Sequence, residues 1–164
     1  MRDVSGHIDH AVALTRSEDY LKALTEFLEI YGGEEPPSLV MAKTATGLSY
    51  FGLCLALVQK KFKPAIELCK RAIELQFYNG DHYANLSRVY AAAGNRKKAL
   101  ETVQTGLKLL PEHESLREVR RTLGVRSRPA VPFLDRSHPI NVTLGQARHA
   151  KKLADREPRP RHKK

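Results

Sequence analysis

The residues able to do chemistry are few and scattered. His7 and His10 stand three apart, about one helical turn, with Asp9 between them. Imidazoles at that spacing can share a metal, but no third ligand stands at a defined offset, so the pair reads as surface or groove histidines. The seven histidines form no other cluster. No serine, cysteine or aspartate has the context of an activated nucleophile, no Gly-rich loop joins a strand to a helix, and no strands are predicted. An enzyme is not expected, and nothing calls for a cofactor or a metal. Cys54 and Cys69 fall in apolar helical stretches and read as core thiols of a reducing compartment.

Charge says more than catalysis does. Residues 1–116 hold fourteen Lys and Arg against fourteen Asp and Glu, whereas residues 117–164 hold fourteen basic and four acidic residues. The whole formal charge of +10 therefore sits in the last 48 residues, a basic arm on a neutral body. Hydrophobic content of 41% with 28% charged residues is that of a globular chain able to build a core. The start lacks a secretory pattern, and the longest apolar stretch, Tyr50 to Val58, is far short of the roughly 20 residues that span a bilayer. A cytoplasmic protein with no membrane contact is expected.

These groups must be positioned by helices, and the helices repeat. Aligning Ala99 with Ala65, 34 positions earlier, brings AAAGNRKKALETVQTGL onto LVQKKFKPAIELCKRAI. The clearest unit, 80–113, carries Tyr83, Leu86, Ser87, Tyr90, Gly94, Ala99, Val103, Gly106 and Pro111. Small side chains at Ser87, Ala99 and Gly106 allow two helices to cross closely, and the bulky ones fill the space between neighbouring hairpins. Gly94-Asn95 makes the turn, and Pro111 follows the second helix, which it cannot extend. A unit at 46–79 fits in its second helix through Phe62, Ala65, Cys69 and Ala72. In its first helix Gly52-Leu53 reverses the usual large-then-small pair, and Ala56 replaces an aromatic. A unit at 4–37 carries Ala11, Leu14, Tyr20, Ala23 and Phe27 in register. The step from Ala23 to Ala65 is eight residues too long. The loop Gly32 to Pro37 and an early start of the next helix, at Pro37-Ser38, absorb the excess.

This pattern resembles the tetratricopeptide repeat family. Nearly the whole chain is similar to small bacterial proteins of that family that end in a Pro-Phe-Leu segment. The resemblance implies an all-α fold, an α-solenoid of three helical hairpins over residues 1–124. Residues 112–123 form a capping helix whose outer face bears Arg117, Arg120 and Arg121. It also implies that the first helices line a concave face for ligands, here with Ile8, Val12, Tyr50, Phe51, Cys54 and Val58, then Ala84, Asn85, Arg88 and Ala92. The basic clamp with which one subfamily grips chaperone C-termini is absent, because Ile8, Val12, Phe51, Asp81 and Asn85 occupy its offsets. What remains is an apolar trough with one cation, Arg88, and one amide, Asn85, suited to a hydrophobic peptide with a backbone or carboxylate anchor. The competing reading is that Tyr50, Phe51 and Val58 only pack between repeats.

Residues 125–164 form a basic, largely extended tail. Three prolines lie between Val125 and Asn141, a short helix is expected over 142–155, and the end, 157–164, is expected to be disordered. Val131, Phe133 and Leu134 are too apolar for a solvated linker, and docking on the groove or on the last helices would cover them. The leading function is an adaptor that binds a peptide or partner protein on the concave face. The alternative is a salt-sensitive nucleic-acid or ribonucleoprotein binder, without sequence preference, that acts through the tail.

Overall fold

The computed structural model describes residues 4–31, 41–124, 131 and 139–154, and every regular element among them is a helix. In chain order these are α1 (Val4–Arg16), α2 (Tyr20–Tyr31), α3 (Met41–Val58), α4 (Phe62–Leu75), α5 (Gly80–Ala92), α6 (Arg96–Leu109), α7 (Glu114–Leu123) and α8 (Pro139–Ala154). The chain divides into two units, Met1–Gly124 and Val125–Lys164.

In the first unit consecutive helices pack in pairs, α1 on α2, α3 on α4 and α5 on α6. A second set of contacts links alternate helices, α1 to α3, α3 to α5 and α5 to α7, so the odd-numbered helices touch in a row. The three pairs share one turn. Glu18, Lys60 and Gly94 have φ of 66°, 56° and 76°, each five residues before a fully buried alanine, Ala23, Ala65 or Ala99. Only Gly94 adopts that left-handed conformation without steric cost.

Small residues sit where helices cross. The Ser87 hydroxyl donates to the Ala99 carbonyl at 2.8 Å, joining α5 to α6. A side chain at Gly106 would meet Tyr83 Cβ at 2.8 Å. Between α3 and α4 the crossing residue is Gly52, where a Cβ would stand 2.8 Å from both the Ala65 carbonyl oxygen and the Cys69 sulfur. The reversed Gly52-Leu53 pair is thereby explained. Relative to α5, helix α3 is turned by one residue, so the small residue at its crossing comes first. Tyr31 stacks on both Phe27 and Phe51 at the α2–α3 junction, and Phe27 and Phe51 meet tilted, with centroids 5.5–6.3 Å apart.

Helix α7 buries Leu116 and Val119 against α5 and α6 and keeps Arg117, Arg120 and Arg121 in solvent. It stops at Gly124, with φ 63°. In the second unit the helix begins at Pro139, three residues before the start expected at Val142. A proline supplies the φ of a first helical turn and its missing N–H is unused there, so Pro139 starts a helix instead of extending the tail. Val131 is half-buried, while Phe133 and Leu134, like the loop 32–37, lie outside the described residues. No helix among the described residues is long and apolar enough to cross a membrane.

Candidate functional site

The odd-numbered helices α1, α3, α5 and α7 jointly line a cleft of about 440 Å³. Leu53, Ala91, Val119 and Leu123 make its apolar wall, and Arg16, Glu18, Asp81, Arg88 and Glu118 supply its charges. The phenols of Tyr20 and Tyr50 face the same space.

One carboxylate ties the four helices together. Asp81 lies in the first turn of α5, where its backbone N–H donates to the capping Asn79 side chain at 3.1 Å. Its Oδ2 accepts from the Tyr50 hydroxyl of α3 at 3.0 Å and from Arg16 at the end of α1 at 3.1 Å. Its Oδ1 accepts from the Ser115 hydroxyl of α7 at 3.0 Å, and His113 Nε2 stands 3.8 Å away. Arg16 also donates to the Tyr50 oxygen at 3.0 Å and lies over the Tyr50 ring, 5.5 Å from its centroid. Burial alone would raise the Asp81 pKa. The hydrogen bonds from Ser115 and Tyr50, with the charges of Arg16 and His113, outweigh it and hold the carboxyl below its ordinary range. Burial pushes the Tyr50 phenol up, against the lowering effect of Arg16. This carboxylate is ionised at neutral pH, so the link between helices is charge-assisted.

Most residues expected to contact a ligand are packed inside. Ile8, Val12, Tyr50, Phe51, Cys54 and Asn85 are buried, and Val58 is half-buried against the same core. The apolar trough read from their offsets is therefore filled, because neighbouring helices use those faces against each other. Tyr50 reaches the cleft through its hydroxyl and ring edge. Asn85 turns inward and donates to the Ser49 hydroxyl at 3.1 Å. Arg88 is the expected residue that remains accessible in the cleft, its side chain 37% exposed, 3.4 Å from Asn85 Oδ1 and 3.5 Å from Glu118.

Sequence reasoning missed Arg16, Ser115, Glu18, Tyr20 and Glu118 as lining residues, and noted Asp81 only as a departure from a basic clamp. A signal was present. Arg16 and Tyr50 are 34 residues apart, as are Asp81 and Ser115, so bonded partners recur at the repeat spacing itself. His10 does not turn toward His7; it donates from Nδ1 to the Glu26 carboxylate of α2 at 2.7 Å. Among the described residues no group of three His, Cys, Asp or Glu side chains could hold a metal ion. Cys54 and Cys69 are free and buried, and burial pushes the Cys54 thiol up to about 11, which leaves it protonated and unreactive at neutral pH.

No family model matches the chain, and no curated protein sequence matches it significantly.

Proposed function

We propose that the first unit is a tetratricopeptide-type α-solenoid, three hairpins closed by α7, and that it works as an adaptor holding an extended segment of a partner protein in the cleft. One observation carries this reading: a single cleft takes its walls from the first helix of every hairpin and from α7. A partner lying there touches each repeat in turn, which is how a stacked array presents a binding surface. The shared left-handed turn before Ala23, Ala65 and Ala99 supports the repeat reading in the absence of any sequence match. On this reading the protein needs no cofactor and performs no reaction. The cytoplasm is its compartment, where the free thiols stay reduced.

The test fills the cleft. Thr122 is exposed on α7 and lines the cleft, so Thr122→Trp places an indole in the space without touching the core. The full-length protein, used as bait in an extract of the cells that make it, retains its partners at moderate salt. The Thr122→Trp variant loses them. Partners retained equally by both proteins would remove the cleft from the account. Partners lost from the wild type as salt rises would favour nucleic-acid binding through the basic tail, residues 125–164.

A further inference from the structure

We propose that the partner segment is recognised through a cationic side chain, a lysine or arginine flanked by apolar residues, seated between Glu18 and Glu118. This rests on the adaptor reading and names its ligand chemistry. It departs from the expectation from sequence, in which Arg88 and Asn85 offer a backbone or carboxylate anchor.

The departure follows from how the charges are already spent. The cleft holds three carboxylates, Glu18, Asp81 and Glu118, against two guanidinium groups. Arg16 bonds Asp81 and Tyr50 at 3.0–3.1 Å, so its charge is balanced by Asp81 even though its side chain is 63% exposed. Arg88 approaches Glu118 only at 3.5 Å, longer than the 2.7–2.9 Å of a tight ammonium- or guanidinium-carboxylate bond. The Glu118 side chain is 64% exposed, so most of its hydrogen-bonding capacity faces outward. Glu18 is exposed at the left-handed turn after α1 and joins no ion pair among the described residues. A carboxylate entering the cleft would meet Arg88 with Glu118 beside it and Glu18 nearby. A cation would meet two carboxylates and one loosely held guanidinium.

The field felt inside the cleft agrees. Tyr20 lies within reach of both signs: burial first, then the Glu18 carboxylate, raises its pKa, and the opposing effect of Arg88 is the smaller. Leu53, Ala91, Val119 and Leu123 form an apolar wall behind these charges, which suits hydrophobic neighbours of the cationic residue.

The experiment is a selection of displayed random twelve-residue peptides on the full-length protein, followed by binding of synthesised winners by fluorescence anisotropy. The selected peptides carry Lys or Arg next to apolar residues. Their affinity falls about tenfold with Glu18→Gln/Glu118→Gln together and about threefold with each alone. Both glutamates are exposed, so the variants keep the fold, which far-ultraviolet circular dichroism checks. Winners rich in Asp or Glu, or basic winners that bind the double variant as tightly as the wild type, would overturn the cationic ligand and leave the adaptor standing. A selection that yields no binder would sink both.

Discussion

At the residue scale two ionisable groups, half-buried Asp81 and buried His82, sit within one turn of α5 and respond oppositely to their surroundings. Asp81 is surrounded by donors and stays charged. His82 is fully buried; its Nε2 donates to Gln76 Oε1 at 3.3 Å and its Nδ1 has no hydrogen-bond partner among the described residues. Burial drives its pKa down to about 4, with the Asp81 charge only partly offsetting it. The unfolded chain takes up a proton near pH 6.5 while the folded one does not until about 4, so His82 lowers stability as pH falls through that window. The loss approaches about 3 kcal/mol, at roughly 1.4 kcal/mol per pH unit. Asp81 acts lower: its folded pKa lies below its unfolded value, so its stabilisation is present above about pH 4 and disappears as pH drops further. Urea unfolding followed from pH 7.5 to 3 should therefore show two steps. His82→Gln flattens the upper one, and Asp81→Asn diminishes the lower one. A His82→Gln variant with the wild-type slope between pH 6.5 and 4.5 would contradict the burial argument. Neither residue stood out as a titrating site in the sequence, because both roles arise from neighbours contributed by α1, α3, α7 and the α4–α5 turn.

Among the elements, the helices of 80–113 were legible because every small, bulky and turn residue fell at its offset. Helix α3 was legible as a helix but not in its rotation. Its crossing residue, Gly52, is one position from where the repeat would put it, and only the Ala65 carbonyl against it reveals this. The early start expected for α3 at Pro37-Ser38 lies outside the described residues, which resume at Met41. The turns at Glu18 and Lys60 were invisible for a different reason, since neither residue type advertises a positive φ. Glycine exchange separates these two situations. Gly52→Ala should destabilise by about 1–3 kcal/mol, because the backbone oxygen of Ala65 cannot yield, although alanine is the better helix former. Lys60→Gly should be neutral or stabilise by up to about 1 kcal/mol, since it relieves the left-handed cost. A Gly52→Ala variant as stable as the wild type would show that α3 does not approach α4 through Gly52.

Over the whole molecule the helical class and the split between a neutral body and a basic remainder were legible in the sequence, while the side chains expected to line a groove are mostly buried. The apolar offsets expected to form a trough lie in the core, where neighbouring helices pack on them. The polar links of the cleft were not legible, because their partners come from different helices, 34 residues apart for Arg16 and Tyr50 and 65 for Arg16 and Asp81. The central claim is that the cleft of α1, α3, α5 and α7 receives the partner. Methyl NMR on this 18.5 kDa chain tests it most directly, by titrating a captured partner or a selected peptide into the full-length protein. The account predicts shifts of the Leu53, Val119 and Leu123 methyls that line the cleft, with those of Val142 and Leu144 on α8 unchanged. Shifts confined to Val131, Val142 and Leu144, with the cleft methyls unmoved, would contradict it.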